Sequence, residues 1–281
     1  MKAIHKNVVL IACSDQTGLI HKITGVLLHY SLNVTETEEF VDHTIQRFFM
    51  RIQFEGESGT EGVEQELRKI LPASTHVHVG RLQPRKIVVL VSKELHCLGD
   101  LLLRYATGEL QAEISAVVSQ TEDGRELTKR FDIPFHYVPV RGLSREEHER
   151  ELLKVLSPYQ PEYLVLARYM RIFSESFIKC FPERIVNIHH SFLPAFIGKN
   201  PYDQAYERGV KIIGATAHFV TENLDEGPII TQAIIPINHA DDPGEMARRG
   251  QDVEKIVLAR ATELVFEDRV LVDGRRTIVF E

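Results

Sequence analysis

The sequence predicts an α/β protein in two parts, a ferredoxin-like βαββαβ module over residues 1–82 and a Rossmann-like, mainly parallel sheet over 83–281. Three observations carry that reading. Up to about position 80, apolar residues switch between strand and helical spacing in the order β, α, β, β, α, β. From Lys86 onward short apolar runs alternate with helical stretches, as strands joined by crossover helices do. Between them Gln83, Pro84 and Arg85 interrupt both patterns, and proline removes a backbone donor and holds its predecessor extended, which suits a short linker.

In the first part, residues 7–12 form a strand-like run, and Ser14 to Gly18 is loop chemistry leading into a helix start. Leu19, Ile20, Ile23, Val26 and Leu27 then recur at helical spacing as far as Tyr30. Strands are expected at 34–41 and 44–54, joined through a tight hairpin at Asp42 and His43. A second helix over 61–71 stops at Pro72, and a fourth strand covers 75–79.

In the second part, strands are expected at 87–91, 113–119, 135–138, 163–167 and 185–188, with helices at about 98–105, 145–156 and 174–180. A polar loop with a short helix over 198–209 follows, then strands at 214–220 and 229–237 and a long amphipathic helix over 245–266. A terminal hairpin over 269–280 turns at Asp273 and Gly274.

Composition narrows the function. With 281 residues, 43% hydrophobic and 26% charged, the chain has the make-up of a soluble globular protein of two ordinary domains. A formal net charge of −7 gives no general attraction to nucleic acid or to an anionic membrane. No apolar run approaches the roughly 20 residues of a membrane span, and the N-terminal stretch breaks too soon for a signal peptide, so the cytoplasm is expected. Cys13, Cys97 and Cys180 lie far apart and no CxxC or HExxH spacing occurs, so neither a disulfide framework nor a bound metal is expected.

The chemistry concentrates in residues 185–230. The apolar strand there ends in Asn187, Ile188, His189 and His190, delivering polar groups at its carboxyl end. Successive strand residues face opposite sides, so Asn187 and His189 share a face while His190 points away or has left the strand, which argues against a metal pair. Asp225 sits in the segment LDEGP, where Gly227 and Pro228 force a turn. If that loop folds back, the parts for attack on a carbonyl meet: Asn187 donating to an oxyanion, His189 stabilising charge or moving a proton, and Asp225 positioning water. A histidine merely satisfied in the core is the competing reading, and His218, on a strand with apolar neighbours, is read as structural.

The order Asn-Ile-His, then SFLP, then GATAHFVTENLDEGP resembles the 10-formyltetrahydrofolate-dependent formyl-transfer superfamily; within it, NIHHSFLPAF followed by NPYDQAYERGVKIIGATAH resembles the formyltetrahydrofolate deformylases. The resemblance implies a formyltransferase-type sheet and hydrolysis of 10-formyltetrahydrofolate to formate and tetrahydrofolate, balancing one-carbon pools for purine synthesis. It implies Asn187, His189 and Asp225 as catalytic residues and a pterin slot of Met170, Arg171, Ile172, Val220 and Leu224. Folate is then the substrate, and no resident cofactor is implied.

The first module, with SDQTGLIHKITGVL at its first turn, resembles an ACT domain. That implies a homo-oligomer, dimer or tetramer, and a small amino-acid effector near Asp15, Gln16, Thr17, Gly18 and Asn33; an oligomerisation surface alone is the plainer alternative. Glycinamide ribonucleotide formyltransferases, which the second part resembles in layout, cradle a phosphate on a Gly-rich loop after the first strand. This chain has SKELHCLGD there, whose bulk and whose Glu94 and Asp100 disfavour a phosphate. Two alternatives stay open: a formyltransferase with an amine acceptor, and an ACT-type amino-acid sensor with a vestigial folate domain.

Overall fold

A computed structural model describes residues 5–56, 60–195 and 201–281. The chain divides into two compact units, one formed by Met1–Gln83, Glu267–Asp273 and Ile278–Glu281, the other by Pro84–Phe266 and Gly274–Thr277.

The first unit runs β1 (His5–Ser14), α1 (Leu19–His29), β2 (Asn33–Asp42), β3 (Arg47–Gly56), α2 (Thr60–Ile70) and β4 (His76–Arg81). Its sheet has the order β2-β3-β1-β4, each neighbouring pair antiparallel. Strand alternation explains the packing: Phe48, Met50, Ile52 and Phe54 of β3 cluster with Leu19, Ile23 and Leu27 of α1 and Val63 and Leu67 of α2. The β2–β3 connection is longer than the two residues expected. Thr44, Ile45 and Gln46 belong to the turn, because Asp42 Oδ1 accepts from the Thr44 amide at 2.9 Å and Gln46 adopts φ 51°.

The opposite sheet face corrects the division at 82/83, which assigned all of 83–281 to the second domain. Leu10, Ala12 and Phe49 on that face cluster with Leu271 and Phe280, carried by the terminal strands β12 (Val270–Asp273) and β13 (Arg276–Val279) and the residue after them. Arg51, 1% exposed, donates from Nε to the Asp268 carbonyl (3.1 Å) and from Nη2 to the Glu267 carbonyl (3.2 Å). A sheet apolar on both faces needs cover on both, and the unbroken run VVLIAC in β1 is the sequence mark of that demand.

The second unit comprises β5 (Arg85–Val91), α3 (His96–Thr107), β6 (Ala112–Ser119), α4 (Arg125–Lys129), β7 (Phe135–Tyr137), α5 (Arg145–Leu156), β8 (Tyr163–Ala167), α6 (Glu175–Ile178), β9 (Ile185–His189), α7 (Pro201–Arg208), β10 (Ile212–Phe219), β11 (Ile229–Pro236) and α8 (Pro243–Phe266). The sheet order is β11-β10-β9-β8-β5-β6-β7. Pairings from β9 through β7 are parallel, whereas β10 runs antiparallel to both β9 and β11. Strand order reverses between β5 and β8, so the crevice beyond their carboxyl ends is where such a sheet takes ligands. Among the described residues no helix is long and apolar enough to cross a membrane.

Candidate active site

Strand β9 carries Asn187 and His189 on one side and ends there, with His190 just outside it. Antiparallel pairing sets His218 of β10 opposite Asn187 and Thr216 opposite His189. The chain then leaves β10 and returns toward β11. Gly227 makes that return possible: a Cβ there would lie 1.7 Å from the Phe219 carbonyl oxygen, while the Phe219 amide donates to the Pro228 carbonyl at 3.0 Å. Asp225, in left-handed backbone (φ 56°), sets Oδ1 3.3 Å from His189 Nδ1 and 3.8 Å from His218 Nε2.

His218 belongs to this cluster, although the sequence reading made it structural. Its Nδ1 lies 2.9 Å from the Phe219 carbonyl, which can only accept, so the proton of the neutral ring sits on Nδ1. Nε2 is thereby an acceptor, 3.1 Å from the Asn187 side-chain nitrogen, and the orientation of that amide follows. Two-residue periodicity along β10 puts Thr216 and His218 on one face, but only the antiparallel partner turns that face toward Asn187.

Burial pushes the Asp225 carboxyl up, but the hydrogen bond from His189 and the neighbouring imidazoles outweigh it and hold the group below its usual range, an anion at neutral pH. Burial pushes His218 down, so it is neutral there. His189 Nε2 is buried with no hydrogen-bond partner among the described residues, which leaves it for a substrate oxygen or a water.

His190 is pushed down to about 4 by burial, with the Arg168 charge adding to the effect. Between that value and its ordinary 6.5 the unfolded chain holds a proton that the folded chain lacks. Stability is therefore full above about pH 6.5 and falls as pH drops toward 4, by up to about 1.4 kcal/mol per pH unit from this one group. Urea melts at pH 7 and pH 5 check this: His190→Asn narrows the gap between them, and an unchanged gap contradicts it.

All eight predicted site residues line one cleft of about 360 Å³. Met170, Arg171 and Ile172 follow β8, and the Met170 amide donates to Ser92 Oγ at 3.0 Å, tying that loop to the end of β5. Val220 and Leu224 come from the loop that carries Asp225. Met170, Ile172 and Leu224 are each at least half exposed, so large apolar side chains stand open around the cleft, a surface suited to the faces of a flat ring. In the first unit Asp15, Gln16, Thr17, Gly18 and Asn33 are exposed.

Among the described residues His96, Cys97 and Glu254 bring donor atoms within 4.8 Å of one another. They fit a cation poorly. Burial pushes the Cys97 thiol far above its usual range, and the Glu254 carboxylate is already taken by His96 (2.8 Å), Tyr202 (3.0 Å) and the Arg168 guanidinium (3.4 Å).

Residues 85–262 match the family Formyl transferase. A formyltetrahydrofolate deformylase of Escherichia coli O6:H1 (strain CFT073) is 49% identical over 279 residues, 99% of this chain and 100% of the relative. The chain belongs to the formyltetrahydrofolate deformylase family. The crystal structure of a family member from Pseudomonas syringae pv. tomato superposes with a TM-score of 0.94 at 36% identity, covering 100% of this chain and 96% of that one. A glycinamide ribonucleotide transformylase from Symbiobacterium toebii shares the fold over 70% of this chain and 95% of its own, with a TM-score of 0.68 and 33% identity. The deformylase likeness thus spans both units, and the transformylase likeness only part of the chain.

Proposed function

We propose that this chain hydrolyses 10-formyltetrahydrofolate to formate and tetrahydrofolate, with Asn187, His189 and Asp225 as the catalytic residues. The observation that carries the reading is the 3.3 Å contact of His189 with Asp225 inside the cleft whose rim is Met170, Ile172 and Leu224. Asp225 holds a water and takes its proton as the water oxygen attacks the formyl carbon. The oxyanion that forms is held by the Asn187 amide N–H, oriented by His218, and by a His189 ring protonated on both nitrogens, its Nδ1–H on Asp225 and its Nε2–H on the oxyanion. Collapse breaks the bond from the formyl carbon to N10, which recovers the proton through the same groups. No covalent formyl-enzyme is needed, because an amide-like carbon on a weakly basic nitrogen asks for charge stabilisation and a placed water.

In this reading the pterin lies in the slot of Met170, Arg171, Ile172, Val220 and Leu224. The first unit is an ACT-like module with the ferredoxin-like strand order that holds a cytoplasmic dimer or tetramer together and takes a small amino acid near Asp15, Gln16, Thr17, Gly18 and Asn33. The product formate feeds one-carbon demand in purine synthesis.

Incubation with 10-formyltetrahydrofolate and no amine tests the proposal: formate and tetrahydrofolate are expected in one-to-one yield. A strict transferase leaves the formyl group in place, and absent turnover with intact amino-acid binding supports the sensor alternative.

A further inference from the structure

At the strand-order reversal, beyond the carboxyl ends of β5 and β8, charged and polar side chains of the protein gather in one cluster. From the loop after β5 comes Glu94, bonded to Arg168 just beyond β8 at 2.6 and 2.8 Å. Arg168 also lies 3.4 Å from Glu254 of α8, which takes His96 of α3 at 2.8 Å and the Tyr202 hydroxyl of α7 at 3.0 Å. Arg168 is 8% exposed and Glu254 1%.

Three features of this cluster work against stability. It buries a carboxylate and a guanidinium, which apolar residues of like volume often replace without loss. It holds Arg168 in left-handed backbone at φ 64°, which a residue with a Cβ rarely adopts. It also sets Gly250 inside α8, a helix-interior glycine costing about 1 kcal/mol, to seat the Tyr202 ring: a Cβ at Gly250 would fall 1.9 Å from the Tyr202 hydroxyl oxygen. Three such costs converging on one spot point to function.

That spot adjoins the reacting centre. Arg168 and His190 both line the catalytic cleft. The His189 and His190 rings stand 5.2 Å apart, and the His190 and Tyr202 rings 6.0 Å, so packed rings run from the imidazole of the site into the cluster.

Resting on the hydrolase reading above, we infer that the Glu94, Arg168, Glu254, His96 and Tyr202 cluster is a built-in plug that fills the acceptor side of the cleft and reserves the formyl carbon for water. The related transformylase fold has, by that protein's name, a second molecule to formylate. Here its place is taken by side chains. Opening the plug admits a small primary amine: its nitrogen attacks the formyl carbon, the bond to N10 breaks, N10 takes the proton the amine gives up, and N-formyl amine leaves with tetrahydrofolate.

The test uses the full-length protein with 10-formyltetrahydrofolate and excess glycinamide, measuring formate and N-formylglycinamide by mass spectrometry. Wild type yields formate alone. Tyr202→Ala and His96→Ala raise the ratio of formylated amine to formate by at least about tenfold over background. Tyr202→Phe, which keeps the ring and loses only the hydroxyl, stays with water.

His96→Ala, at the partly exposed edge of the cluster, decides the matter if Tyr202→Ala fails to fold. Variants that melt cooperatively and release formate but formylate no amine overturn the plug. So does wild type that formylates glycinamide as readily as they do, or Tyr202→Phe that transfers as well as Tyr202→Ala. Loss of formate release from wild type would instead strike the hydrolase reading.

Discussion

Alanine at His189 or at Asn187 lowers kcat for formate release by about 100-fold to 1000-fold, the usual cost of deleting one donor to a tetrahedral oxyanion. KM for the folate moves little, because Met170, Ile172 and Leu224 around the slot are untouched. The double variant is not expected to multiply the two losses, since both side chains serve one oxyanion. Steady-state formate release with a thermal melt of each variant checks this. A kcat within threefold of wild type in a folded variant contradicts it.

Gly227→Ala is the second large effect, and it acts without touching a reacting group. Its Cβ would sit 1.7 Å from the carbonyl oxygen and 2.9 Å from the carbonyl carbon of Phe219, both backbone atoms of β10. Neither can swing aside as a side chain would, so the loop bearing Asp225 moves instead. A shift near 1 Å in a positioning group costs about 100-fold in rate, and displacing the loop from β10 costs about 2–4 kcal/mol of stability. Gly25→Ala is the contrasting control: a Cβ in α1 there meets nothing within 4 Å, so activity is retained and stability unchanged or slightly raised. Urea melts paired with formate assays separate the two. Full activity in Gly227→Ala means the return loop does not need this close approach.

What the sequence disclosed follows from the range of the forces involved. The strand over 163–167 and the helix over 145–156 coincide with β8 and α5, because a buried central strand and a capped amphipathic helix write their pattern locally. The turn at Gly227 and Pro228 was legible for the same reason. Helix α4 was not: five residues are too few to show a helical period. The terminal hairpin was read as a hairpin but assigned to the wrong domain, since its cover of Leu10 and Phe49 depends on contacts across most of the chain.

His218 shows the same limit within the site. Its apolar neighbours are real, and only the antiparallel β9–β10 pairing turns its ring toward Asn187. Periodicity alone could place Asn187 and His189 on one face but could not bring Asp225 to them. That step came from the resemblance, and the 3.3 Å contact now supplies a geometric reason for it.

The measurement closest to the centre of the account is Asp225→Asn, assayed for formate release and for tetrahydrofolate affinity in parallel. The amide keeps the size of the carboxylate and removes its capacity to take a proton from water, so kcat should fall by at least about 100-fold while the affinity for tetrahydrofolate stays within a few-fold. Formate release near the wild-type rate, or loss of affinity in step with loss of rate, would contradict it.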